Sequence, residues 1–261
     1  MPVIRMQGVV ARLDVASALL ACVMVVAALV IIWVARLTIG QDVYVSMLGA
    51  QGMPTAQWFQ VALVLVSLGG GLVAFAARGI RVPVRVLRAW RPAVSLGLAA
   101  GFFMLSSQVT CTPGCPVPYG PLFTWPDFVH TTSAVLAFGF ACWGMLQLAF
   151  APGRRMLGAL SACSAVAVAL VAAAGGILSL ANWQIGLGSR LEFVATTIAI
   201  AWLVSLSVTL VLPPAPRVWW RPRTRQYRRP WPEPSRALSP AASSATAPQQ
   251  PAGEPDPWAP R

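Results

Sequence analysis

The sequence predicts an all-α membrane protein, a bundle of six transmembrane helices followed by a tail that does not pack. Three observations carry that prediction. The 261 residues are 57% hydrophobic and only 10% charged, whereas a soluble domain carries about 25% charged residues. A chain this apolar cannot cover a surface that faces water. Six apolar runs are long enough to cross a hydrocarbon core of about 30 Å, which takes about 20 helical residues. The 19 basic residues, all arginine, are sorted almost wholly into alternate connectors. Backbone groups in lipid must be satisfied within their own segment, so the spans are helices rather than open strands.

The spans fall at 15–38, 57–77, 92–110, 128–150, 157–181 and 191–212. The first is too long for the apolar part of a secretory signal and lacks a small-x-small cleavage site, so it reads as a retained anchor. Arg5 and Arg12 precede it. Arg78, Arg81, Arg85, Arg88 and Arg91 lie between the second and third spans, Arg154 and Arg155 between the fourth and fifth, and eight more follow the sixth. Six spans put these 17 arginines on one side and leave Arg36 and Arg190 on the other. The positive-inside rule makes the rich side cytoplasmic, with both termini there. The domains are then a cytoplasmic N-terminus (1–14), the six-helix membrane domain (15–212) and a cytoplasmic tail (213–261). Gly97 and Gly101, Ser67 and Gly71, and Ala172 and Gly176 are small-xxx-small pairs that let helix backbones approach. Trp58, Trp125 and Trp183 near one set of span ends, and Trp90, Trp219 and Trp220 near the other, read as an aromatic belt.

The scarcest chemistry is gathered in one connector, CTPGCPVPYGPLFTWPDFVH (111–130), which holds two of the five cysteines and the single histidine. On the predicted topology this loop is outside, where Cys111 and Cys115 form a disulfide. Its simplest role is a staple across a Pro-Gly turn. A redox-active pair is the alternative, with a three-residue gap unlike thioredoxin's two. Two cysteines and one histidine leave a tetrahedral metal site one ligand short. Cys22, Cys142 and Cys163 lie in spans as small apolar residues. Thr124 and Asp127 have the spacing of a helix-capping pair, and the helix dipole favours the acid there. His130 follows on the same face as Asp127. It reads as a rim histidine in a hydrogen-bonded cluster, or as a base oriented by Asp127 and acting on Ser106 or Ser107.

The sixth span opens on GSRLEF, where Ser189 and Glu192 repeat the capping spacing. Arg190 then meets the unfavourable end of a helix dipole, and an acid should compensate it. DFVHTTSA (127–134) and EFVATTIA (192–199) match as acid-F-V-x-T-T-x-A, which suggests two related hairpins with His130 replaced by Ala195 in the second. Asp42, Asp127, His130, Arg190 and Glu192 thus form a polar outer rim. No ionisable residue is expected near a span centre, which argues against an ion-coupled transporter.

The last 49 residues contain 13 of the 23 prolines and cannot bury a core. Their first part interleaves Arg217, Arg221, Arg223, Arg225, Arg228 and Arg229 with aromatics. Such a segment lies on anionic headgroups, at about 1 kcal/mol per arginine, or docks a membrane protein partner; its tethering at the membrane argues against nucleic acid.

VSMLGAQGMPTAQWF (45–59), CTPGCPVP running into DFVHTTSAVLAFGF (111–140) and the Arg190–Glu192 helix start together resemble a bacterial family of integral membrane proteins catalogued as a domain of unknown function, number 998. The resemblance covers roughly residues 12–212. The family often carries an asparagine after the first loop's aromatic, where Gln60 stands here. Membership implies a compact multi-helix domain in a bacterial plasma membrane and no particular reaction.

The expected function is therefore non-enzymatic: binding of a lipid, a small amphiphile or a partner protein at the outer rim, without a cofactor. An outer-leaflet hydrolase built on Ser106 or Ser107, His130 and Asp127 is the first alternative. A thiol–disulfide protein using Cys111 and Cys115 is the second.

Overall fold

The computed structural model describes residues 2–116, 121–181 and 183–212, with side chains from Arg12 onward. Six helices form: α1 (Pro2–Ile39), α2 (Ala56–Ala76), α3 (Pro92–Gln108), α4 (Trp125–Ala149), α5 (Arg155–Leu180) and α6 (Ile185–Val211). A short 3₁₀ turn, Ser46–Gly49, sits in the loop after α1, and there is no strand among the described residues. The basic segment with Arg217, Arg221, Arg223, Arg225, Arg228 and Arg229, and the tail beyond it, lie outside the described residues.

Five of the helices are long and apolar enough to cross a membrane. The sixth, α3, has 17 residues and covers about 26 Å at 1.5 Å per residue. It still makes the full passage. Ser95 near its start bonds Gln147 near the end of α4, and Ser106 near its end meets His130 near the start of α4. Aliphatic side chains cover the outside: Val23 is 67% exposed, Leu170 and Ile177 66% each. Such a surface is stable only against hydrocarbon. Trp58, Trp90, Trp125 and Trp183 are exposed near helix ends, as an aromatic belt requires. The chain is an all-helical integral membrane protein.

Each helix packs on the next in the chain, and α6 closes on α1, so the bundle is a ring in sequence order. Neighbours run antiparallel. Asp14 of α1 pairs with Arg78 just beyond α2, and Arg154 at the head of α5 donates to the Thr209 carbonyl near the end of α6 at 2.8 Å. The core runs through Val25, Phe59, Val73, Met145, Leu148, Trp202 and Leu206.

The first span falls at Arg12–Ile39, against the expected 15–38, and its helix extends back to Pro2. Two expectations are corrected. Helix α6 begins at Ile185, not at 191. The Ser189–Glu192 capping spacing suggested a later start, but the chain turns into the helix earlier, at Gln184, whose φ of 50° is left-handed. The predicted small-residue pairs do not mediate close packing. A Cβ on Gly71, Gly97, Gly101 or Gly176 would meet nothing within 4 Å. The spacing identifies a face without saying which way it points. The close approaches are instead at Gly69, where a Cβ would lie 2.6 Å from Val25 Cγ2, and at Gly175, 3.3 Å from the Gly188 carbonyl.

The arginine-rich end is tied by a fully buried amide. Gln147 Oε1 accepts from Ser95 Oγ at 2.7 Å, and Nε2 donates to the Leu87 and Trp90 carbonyls at 2.9 Å each. Trp90 Nε1 in turn donates to Ser95 Oγ at 2.7 Å. Removing one partner of a buried network leaves the others unsatisfied. Gln147→Ala is therefore expected to cost about 2–4 kcal/mol of stability, read as a lower denaturation midpoint in detergent; Ser161→Ala, which removes one acceptor from Trp202 Nε1, should cost less.

Candidate functional site

The end opposite the connector of Arg78–Arg91 is assembled from three loops. After α3 the chain makes a tight turn at Thr112–Cys115, closed by Cys115 N donating to the Thr112 carbonyl at 2.9 Å. Gly114 and Cys115 both take positive φ, 83° and 46°, a conformation a glycine adopts freely and a cysteine does not. Cys111 and Cys115 are joined as a disulfide across this turn. Cys111 is buried, and its sulfur lies 3.7 Å from the Ser46 carbonyl; a disulfide sulfur carries no proton, so this is a packing contact. Gln51 N donates to the Cys111 carbonyl at 3.0 Å, tying the turn to the first loop.

Helix α4 starts as the sequence predicts. Thr124 is its N-cap and accepts from Asp127 N at 3.2 Å. Asp127 is 0% exposed, and its carboxylate accepts from Thr112 N at 2.7 Å, Thr112 Oγ1 at 2.8 Å and Thr124 Oγ1 at 2.5 Å. Those three donors satisfy the buried acid and clamp the disulfide turn to the start of α4.

His130 lies one turn deeper and is 4% exposed. Its Nδ1 stands 2.8 Å from the Val109 carbonyl, 3.0 Å from the Ser106 carbonyl and 3.2 Å from Ser106 Oγ. The last carbonyls of a helix have no partner within it, and those at the end of α3 take this ring nitrogen. Two carbonyl acceptors assign the proton to Nδ1 and leave Nε2 as an acceptor. The nitrogen nearest Ser106 Oγ is thus a donor and is not placed to take that hydroxyl's proton. Ser107 Oγ donates to the Met104 carbonyl at 2.7 Å. Asp127, His130 and Ser106 are gathered in one corner, yet the acid is turned to Thr112 and Thr124 and the relay of a hydrolase is not formed. Both cysteine sulfurs and one ring nitrogen of His130 lie within 4.8 Å of one another; joined to each other, the sulfurs are not thiolate ligands.

The expected rim separates into an exposed part and a buried part. Asp42 is the acid that compensates Arg190: Nε and Nη2 of Arg190 meet Asp42 Oδ2 at 3.0 and 2.7 Å, and Arg36 pairs with Oδ1. Arg36 also lies over the Phe193 ring at 4.6 Å and donates to the Gln41 and Val43 carbonyls. This cluster is exposed, so its net contribution is small. The Arg190 guanidinium, with Arg36 beside it, holds Asp42 below the usual carboxylate range.

Glu192 is elsewhere. Because α6 begins at Ile185, Glu192 stands two turns inside the helix and caps nothing there, and Ser189 Oγ turns back to the Gly186 carbonyl at 2.9 Å. Glu192 Oε2 accepts from Val45 N at 2.9 Å. It therefore faces inward, onto the 3₁₀ turn. Ser46, Ser106, His130, Glu192 and Thr196 form the polar end of a cavity of about 90 Å³ inside the ring. The rest of its wall is apolar, from Phe59, Val66, Phe103, Phe138, Met145, Trp202 and Leu203, with small residues at Ala99, Ala100, Ala134, Ala141 and Ala199. Glu192 faces the cavity rather than the exposed rim, which was missed because GSRLEF looks like a helix start. No periodicity marks the cavity in the sequence; the alanines that leave its space open look like ordinary helix formers.

DFVH and EFVA are used differently. Asp127 is in the first turn of its helix and holds the loop after α3, whereas Glu192 is deeper and holds the loop after α1. Phe128 is exposed and Phe193 buried.

No family model, curated protein or solved structure matches the chain.

Asp42 sets a pH dependence whose sign follows from its lowered pKa. A carboxyl depressed in the folded state stabilises fully above its unfolded value of about 3.9 and loses that contribution as pH falls through the folded value. Unfolding midpoints measured from about pH 5 down to about pH 2 should therefore fall less steeply in Asp42→Asn than in the unsubstituted protein.

Proposed function

We propose that this is an amphiphile-binding protein of a bacterial plasma membrane, with both termini cytoplasmic and the disulfide end outside. The single observation that carries the binding reading is the cavity: an apolar slot within the ring, capped at one end by buried polar groups. Amphiphile sites in membrane helices take this form, apolar walls with a few placed polar groups. The arrangement favours an amphiphile over a partner protein, because its polar groups point inward rather than across an exposed patch. The orientation is supported by the distribution of arginines, 17 against two, and the bacterial membrane by the family resemblance. On that orientation Arg217, Arg221, Arg223, Arg225, Arg228 and Arg229 contact anionic headgroups of the inner leaflet. The disulfide acts as a staple that keeps the roof of the slot in place, with Cys111 buried against Ser46.

The test is extraction and mass spectrometry of amphiphiles that co-purify with the protein. A specific species near one per chain is expected. The double variant Ala134→Phe/Ala199→Phe fills the slot from α4 and α6 and should lower the bound fraction by about tenfold, equivalent to about 1.4 kcal/mol, while remaining monodisperse. Equal recovery from the filled variant, or no stoichiometric species from either protein, would overturn the reading.

A further inference from the structure

The polar end of the slot has a chemical bias. Ion pairs among the described residues join Arg36 and Arg190 to Asp42, and Arg78 to Asp14. Glu192 is in none of them. Its partner is the backbone N–H group of Val45, and a carboxylate offers about four lone-pair sites. Acceptor capacity therefore remains on a carboxylate set within a membrane span. His130 adds to it, since Nδ1 is committed to the Val109 and Ser106 carbonyls and Nε2 is left as an acceptor. No arginine lines the cavity. The hydroxyls of Ser46, Ser106 and Thr196 serve in either direction. The site thus offers acceptors and an acidic side chain with no cation beside it, and asks for a donor.

The slot's shape restricts the other half of the ligand. On α6 its wall runs from Glu192 to Leu203, about 16 Å at 1.5 Å per residue. With a free volume of about 90 Å³, that length leaves no space for two chains side by side.

Resting on the amphiphile reading above, we infer that the slot takes a single-chain amphiphile whose head donates hydrogen bonds and carries no negative charge, a long-chain amine being the best match. The ammonium sits against Glu192, supplying the cation that the fold does not, and hydrogen bonds to His130 Nε2 and Thr196. A long-chain alcohol satisfies the acceptors without neutralising the charge and binds more weakly. A phosphate or carboxylate head sets like charge against Glu192 in a poorly screened site and is rejected.

Three probes of equal chain length separate these cases: dodecylamine, dodecanol and dodecanoate, each titrated into the full chain in a non-ionic detergent at neutral pH. Binding is followed by the shift in thermal unfolding midpoint, with the filled variant Ala134→Phe/Ala199→Phe subtracting partition into the micelle. The expected order is amine, alcohol, carboxylate, with amine and carboxylate separated by at least about tenfold, a step of about 1.4 kcal/mol. Glu192→Gln keeps an acceptor for Val45 and should erase the preference for amine over alcohol. Thr196→Val is the second variant and should weaken amine and alcohol alike. Dodecanoate binding as well as dodecylamine to the unsubstituted protein would overturn the inference even if Glu192→Gln fails to fold. All three binding equally would leave the slot standing and remove the head-group assignment; none binding above the filled variant would remove both.

Discussion

Hydrocarbon satisfies no hydrogen bond, so a polar group buried in this bundle depends on partners in the chain, and among the described residues only the Tyr44 hydroxyl is buried without one. That constraint accounts for the loop-rich end. Asp127 could not be buried as an isolated ion, and it is held by three donors from Thr112 and Thr124. In meeting its own need it fixes the turn after α3 against the start of α4. The Val109 and Ser106 carbonyls are then in place for His130, and the Cys111 carbonyl for Gln51. Gln147 does the same at the other end, where one amide joins α3, α4 and the arginine-rich connector. Each closes a set of groups that would otherwise be unsatisfied.

A ring of six helices has a second consequence. With no helix on the axis, side chains must fill the middle, and alanines on α3, α4 and α6 do not reach. A void costs roughly 24 cal/mol per Å³, so the cavity of about 90 Å³, left empty, costs about 2 kcal/mol. Leucines at Ala134 and Ala199 would recover part of that. An occupant that fills the slot recovers it as binding energy instead, and this is the physical case for a ligand rather than a packing defect.

Much of the architecture was legible because it depends on short-range rules. Apolar length gives the spans, and the Thr124–Asp127 spacing gives the start of α4. Arg190 called for an acid nearby and Asp42 is that acid, although Arg190 stands in the second turn of α6 rather than at its first residues. What was not legible depends on which way a residue points. Gly97 and Gly101 have the spacing of a packing face and meet open space, while Gly69, outside any predicted pair, meets Val25. Glu192 was placed at the rim because Ser189 and Glu192 have the spacing of a helix cap; the helix starting at Ile185 turns it toward the cavity. Gln147 looks like a polar residue at a span end, and only the folded connector reveals its three partners. The cavity is set by the absence of side-chain volume, which periodicity does not register.

The separation of Arg190 from Glu192 joins rim and slot. Residues two apart on a helix do not share a face, so α6 presents Arg190 to the exposed rim, 69% exposed, and Glu192 to the interior. Asp42 holds Arg190 outward and, through Arg36, anchors the short segment that follows α1. That segment leads directly to Val45, whose N–H is on Glu192. One acid thus keeps the nearest cation away from the other, while the same loop braces the second acid in position. The half-buried Glu192 has its geometry supplied by the fold and no cation set beside it, which is the arrangement a site needs if the missing charge is to arrive with a ligand.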